Sequence, residues 1–245
     1  EVGPSYWDVV WSFGKYSVNG SPWRHMRVNA LDRAPGYSVD LFGEGAVVYR
    51  DRNGSGNVSF SDLNFIFNYR AEGIDDNAEI EVRLFAIEMV MVPTGSFTLG
   101  LNQNGTSNSF FRVPPSGVSF PPYDYYTVTT ENAISVNANV GSFYYLGGGD
   151  QSGSINATYP KGYDSFYCMK YEVSQQQWVD FFNTLTATQQ LNLDATSNDG
   201  KNSDGEEERN GVSWTLGSDA TTTLPNLPMN FITNAWFYSY LDWSG

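Results

Sequence analysis

Trp7-Asp8-Val9-Val10-Trp11-Ser12-Phe13, then Asn19-Gly20, then Trp23-Arg24-His25-Met26-Arg27-Val28, is the stretch that decides how the first third of the chain is read. Trp7, Val9, Trp11 and Phe13 alternate with Asp8, Val10 and Ser12, the period of a strand with one buried face. Asn-Gly suits a two-residue hairpin turn, because both central positions of that turn need positive φ. A hairpin with the tryptophans inward is therefore expected. Outward from it, Ser38 to Phe42, Ala46 to Arg50, Leu63 to Tyr69 and Glu79 to Ile87 read as further strands between Gly, Asn and Asp turns. In the last of these Ile80, Val82, Leu84 and Ala86 share a face, which is assigned to the core. Residues 1–87 are thus expected to form an antiparallel β-sandwich, immunoglobulin-like or jelly-roll-like.

Composition agrees with a β-rich chain. Aromatic and charged residues each make up 16 % of the 245 residues, a balance that favours packed strands and polar loops over solvated helices. The 27 acidic and 13 basic residues leave a net charge of −14, which repels phosphate backbones and anionic lipid, so nucleic acid is not an expected partner. Apolar runs such as Phe85 to Val92 are too short to span a bilayer, and no direct membrane insertion is expected. Cys168 stands alone, which leaves no internal disulfide, and it is expected in a buried strand as an inert hydrophobe. The chain opens on Glu1, read as a trimmed N-terminus. Asn-x-Ser/Thr triplets at Asn19, Asn53, Asn57, Asn104 and Asn156 accord with a secreted or cell-surface protein.

A second domain is expected over 88–245. It opens with Met89-Val90-Met91-Val92-Pro93-Thr94-Gly95-Ser96-Phe97-Thr98-Leu99-Gly100, two strands about a Pro-Gly turn. Long loops follow at 101–160, interrupted by strand-like Tyr125 to Thr130, Ile134 to Val136 and Phe143 to Leu146. Ser174 and Gln177 form a capping box for a helix carrying Trp178, Phe181, Phe182 and Leu185 on one face. Thr233 caps a second helix whose stripe is Trp236, Tyr240 and Trp243, ending at Gly245. Between the helices, 194–227 is read as a loop; Asp194 to Asp219 within it is too polar for a core.

Three of these stretches together resemble the formylglycine-generating-enzyme (sulfatase-modifying factor) family. Met91 to Gly100 is similar to its opening "VPxGxFxMG" segment, and Phe166-Tyr167-Cys168-Met169-Lys170-Tyr171-Glu172-Val173-Ser174 to its "F-x-K-x-E-V-T/S" strand and cap. Pro228-Met229-Asn230-Phe231-Ile232 through Trp243-Ser244-Gly245 resembles its stretch ending in "W-x-G". Asn234 stands where the family commonly has Asp. The resemblance implies a mainly β chain with some α: a sandwich followed by the first part of a formylglycine-generating-enzyme-like (C-type-lectin-like) α+β domain. The family's paired active-site cysteines and calcium positions would fall beyond residue 245. The combination is similar to surface proteins of Bacteroidetes-type bacteria; the want of an activated reactive group, the large polar loops and the sandwich module lead to the expectation of a non-catalytic structural, adhesive or ligand-display role, as in a surface assembly or filament. The alternative implied is a fragment of an oxidase-like or metal-dependent enzyme whose active site follows Gly245.

No catalytic set is assigned from the residues themselves. His25 is read as structural, since no Ser/His/Asp group can be assembled around it. Asp51, Asn53, Ser55, Ser59 and Asp62 place oxygens at positions 1, 3, 5, 9 and 12 of a loop with Gly56 at position 6, which makes Ca2+ a candidate ligand, against a plain Gly-rich hairpin. The acidic run Asp199 to Glu208 is a weaker cation candidate. Tyr123, Tyr125, Tyr126, Tyr144 and Tyr145 are candidate aromatic faces for surface glycans, or loop packing. Trp236, Tyr240 and Trp243 are expected to form an open face covered by a further C-terminal segment, a second chain or a neighbouring copy.

Overall fold

A computed structural model describes residues 5–31, 37–57, 63–100, 110–115, 124–145 and 152–245. The protein is mainly β with few helices and several antiparallel sheets. It divides into two compact units, Glu1–Val90 with Met169–Gly245, and Met91–Cys168. Among the described residues no helix is long and apolar enough to cross a membrane.

In the first unit the strands are β1 (Ser5–Val18), β2 (Arg24–Met26), β3 (Val28–Leu31), β4 (Tyr37–Leu41), β5 (Gly45–Arg50), β6 (Phe65–Phe67) and β7 (Ile80–Val92). The second unit contributes β8 (Phe97–Leu99), β9 (Phe110–Arg112), β10 (Tyr126–Val128), β11 (Ile134–Val136), β12 (Phe143–Tyr145) and β13 (Gly153–Ile155). The chain returns along β14 (Phe166–Met169) into α1 (Gln175–Phe182), α2 (Ala187–Asn192), β15 (Val212–Ser213), β16 (Thr221–Thr222) and α3 (Asn234–Ser244).

The main sheet runs β14-β7-β1-β5-β4, with β2 pairing the end of β1 that β5 leaves free. The expected hairpin is present: Asn19 and Gly20 both have positive φ, and β2 returns antiparallel with Lys15 opposite His25. Because β1 is central it is covered on both faces, and its inward residues are not one alternating set. Phe13 faces the helices while Tyr16 faces the other side, and both are fully buried. Trp7, expected inward, is 51 % exposed.

On the helix side, Phe13 and Ile87 join Val173, Trp178, Phe181 and Tyr240 in one core. Trp243 packs edge-on to Phe13 at 5.0 Å and to Phe85 at 4.7 Å, and Trp11 Nε1–H donates to the Ser244 carbonyl at 2.8 Å. On the opposite side Tyr16, Met26 and Val28 pack with Phe65, Phe67 and Ile80, so a β3–β6 ribbon is the second layer there. The expected free-standing sandwich over 1–87 is therefore replaced by a sheet with a ribbon on one face and helices from the end of the chain on the other. A single boundary near residue 88 could not express this, because burying β1 on both faces requires the returning segment.

Two further expectations are corrected by the same packing. In β7 the face assigned to the core is covered only at Ile80, on the ribbon side: Val82 and Leu84 are exposed, while Phe85, Ile87 and Met89 meet the helices. The stripe Trp236, Tyr240 and Trp243, expected to be open, faces the core of the first unit, with Tyr240 only 1 % exposed.

The capping box holds: Ser174 Oγ accepts from the Gln177 N–H and Gln177 Oε1 from the Ser174 N–H, starting α1. Thr233 Oγ1 accepts from the Trp236 N–H and starts α3. An identical box, Thr186 with Gln189, starts α2, which the sequence reading missed.

The stretch Asp194 to Asp219, read as an exposed loop, contributes to a core instead. Val212, Trp214 and Ala220 close a second core against Val179 and Phe182. Its polarity is satisfied inward. Gln175, fully buried, donates to the Arg209 carbonyl at 2.7 Å and accepts from the Gly211 N–H and the Thr222 hydroxyl, each at 2.9 Å. Asn210, equally buried, accepts from the Val212 N–H, and Lys201 donates to the Gly205 and Asn210 carbonyls.

In the second unit β8 pairs β10, and β13-β11-β12-β9 form a four-stranded sheet. Val128, Ile134 and Phe143 make its core with Phe97, Leu99 and Tyr126. The Glu131 carboxylate accepts backbone N–H bonds from Lys161, Tyr163 and Asp164, which hold its pKa below the ordinary range.

Candidate functional site

Lys15 extends the parity of Trp11 and Phe13 along β1, which carries a cation onto the helix-facing, apolar side of the sheet. Only 6 % of it is exposed. Its ammonium donates to His25 Nδ1 at 2.7 Å, and His25 Nε2 meets the Glu44 carbonyl. An ammonium can only donate, so Nδ1 is the acceptor and the proton of the neutral ring sits on Nε2, where it is donated to Glu44. The imidazole lies on the Phe13 ring at 5.7 Å.

Burial pushes the Lys15 pKa down to about 8, opposed by the charges of Glu44 and Asp242. His25 is also lowered, first by burial and then by the Lys15 charge beside it. The Lys15 ammonium lies 5.5 Å from the Trp243 ring centre and 5.8 Å from that of Phe13, within cation–π range.

This cation stands at a cleft of about 470 Å³ whose lining includes Trp23, Phe181 and Trp243 as aromatic walls and Thr184, Gln189, Asn192, Ser239 and Asp242 as polar groups. The far face of the cleft exists because α1 runs on through Thr184 into α2, and because α3 turns Ser239, Asp242 and Trp243 toward the sheet side. Such a mixture of apolar walls and a few convergent polar groups is the usual make-up of a small-molecule site.

The residues singled out from sequence fall elsewhere. Asp51, Asn53 and Ser55 follow β5, whereas Ser59 and Asp62 lie outside the described residues. Asp51 Oδ1 accepts from the Ser38 hydroxyl, and Arg50 donates to the Gly56 carbonyl at 2.6 Å. Among the described residues no group of three or more His, Cys, Asp or Glu side chains is placed to hold a metal ion. Cys168 lies in β14 as expected but is exposed, because it belongs to a strand whose side chains are largely uncovered.

Tyr126 packs edge-on to Phe143 at 5.1 Å, Tyr144 meets Phe111 and Tyr145 meets Phe110, so three of the candidate sugar-binding rings are used in packing. Tyr125 is exposed beside the Arg112–Asp124 ion pair, and Tyr123 lies outside the described residues. Trp243 lines the cleft as well as the core.

No family model, curated protein or solved structure matches this chain. The cleft therefore has to be read from its own chemistry. Lys15 was missed in the sequence, although a lysine at the inward parity of an aromatic strand was the available signal.

Proposed function

We propose that this chain is a non-catalytic ligand-display module of an extracellular surface protein, built on a scaffold of the formylglycine-generating-enzyme-like (C-type-lectin-like) kind. The observation that carries this reading is the use made of the single histidine. Both its ring nitrogens are spent on structure, one holding the Lys15 ammonium and the other the Glu44 carbonyl. A histidine bonded in this way orients a cation rather than shuttling a proton to a substrate. Support for the scaffold comes from the second and third family-like motifs, which lie side by side: the Met229 N–H donates to the Val173 carbonyl at 2.8 Å. Secretion and a bacterial surface location belong to the same proposal, resting on the acidic composition and the family resemblance.

The test passes purified chain over immobilised polysaccharides while the eluate is assayed for new reducing ends and for thiol oxidation. Retention without product, unchanged in Cys168→Ser, is expected. Product that forms with the parent chain and disappears in His25→Gln would overturn the proposal.

A further inference from the structure

We infer that the cleft beside Lys15 is a binding site for a neutral pyranose that presents two adjacent hydroxyls to the Lys15 ammonium. The inference rests on the display reading and names the ligand class and the groups that hold it.

Lys15 has three N–H bonds and gives one to His25; among the described residues the other two have no acceptor. Buried donors are seldom left unmade, and because Lys15 lines the cleft, an acceptor-bearing molecule there is the direct way to complete them. Adjacent hydroxyls on a six-membered ring are spaced so that two oxygens can accept from one ammonium.

The rest of the lining fits the same ligand. Asp242 can accept a hydroxyl proton, and the Asn192 side-chain amide both donates and accepts. Leu185 and Leu193 supply apolar lining for the C–H side of a sugar ring, with polar groups alongside. A volume of about 470 Å³ lies in the range of small-molecule pockets. Charge favours a neutral ligand over an acidic one. Asp242 and Glu44 both act on Lys15, and the chain as a whole carries −14, so an added carboxylate would meet a net repulsive field.

The test is a calorimetric titration of the full chain with methyl glycosides of glucose, galactose and mannose, with methyl glucuronide as the acidic comparison. Asp242 and Asn192 are exposed, so Asp242→Ala and Asn192→Ala leave the core intact. Lys15→Met keeps the apolar stem and removes the donors. Saturable binding of at least one neutral glycoside is expected, weakened about tenfold or more in each variant, with the glucuronide weaker than its neutral counterpart. Neutral-glycoside binding that all three variants retain would overturn the cleft assignment, and tighter binding of the glucuronide would overturn the neutral class. Absence of saturation by any glycoside, in a chain still retained on polysaccharide, overturns the inference and leaves the display reading standing. Loss of polysaccharide retention by the parent chain overturns the display reading itself.

Discussion

Lys15 and His25 face each other across the β1–β2 pair, and the lysine ammonium donates to the histidine Nδ1 at 2.7 Å on the buried, aromatic side of the sheet. This pairing puts a cation where the alternation of β1 calls for an apolar residue, and stability against pH should report it.

Burial lowers the Lys15 pKa from 10.5 to about 8, so between those values the unfolded chain binds more protons than the folded one. Stability therefore rises as pH increases from about 8 to about 10.5, and below 8 the full penalty of the buried charge is present. Lys15→Met is expected to raise stability at neutral pH by about 1–3 kcal/mol, reduced from the full shift by the lost bond to His25, with the gain shrinking above pH ~10. Urea denaturation at a series of pH values measures it.

His25 acts in the same direction at the acid end. Its pKa is depressed in the fold, so as pH falls below about 6.5 the unfolded chain takes up a proton that the folded chain resists, and stability is lost. His25→Gln, which titrates nowhere in this range, is expected to flatten that limb in thermal melts between pH ~5 and ~7.

Phe13 from the N-terminal segment and Phe181 from the C-terminal segment both touch Trp243. Each change to Ala is expected to cost about 3–5 kcal/mol, and the double variant should cost less than the sum by about 0.5 kcal/mol or more, because the partners share one ring. Strict additivity in a double-mutant cycle would argue against a core made from both segments.

The two faces of β7 are expected to differ sharply. Val82→Thr and Leu84→Thr, on the exposed face, should change stability by no more than about 0.5 kcal/mol, whereas Ile87→Thr should cost about 1–3 kcal/mol. Denaturation midpoints of the three variants make the comparison.

Gln175→Leu fills the same space but leaves the Gly211 N–H and the Thr222 hydroxyl without their acceptor. A loss of about 1–3 kcal/mol is expected, with hydrogen exchange of the Gly211 amide accelerated before that of α1.

Local signals in the sequence were legible where a few neighbouring residues determine the outcome. The Asn19-Gly20 turn, the Ser174–Gln177 box and the Thr233 cap all lie where side chain and backbone meet within four residues. What failed depends on partners far along the chain. The face of β7 was misassigned because Val82 and Leu84 are as apolar as Phe85 and Ile87, and only the position of α1 and α3 distinguishes them. The stripe of α3 looked unpartnered because its partner, β1, lies more than 200 residues earlier. The polar stretch near Asn210 folds because buried amides such as Gln175 complete its backbone bonds, a pairing that composition does not reveal. The cleft escaped notice for the same reason, since Lys15, Asn192 and Asp242 meet only in three dimensions.

Nitrogen-15 NMR of the His25 ring across pH is the most direct test of the claim that this histidine is a structural strut and the chain a binding module. A neutral ring protonated on Nε2, with its titration midpoint displaced below the ordinary histidine value, is the predicted result. A ring that titrates near pH 7, poised as a general base would be, contradicts the account.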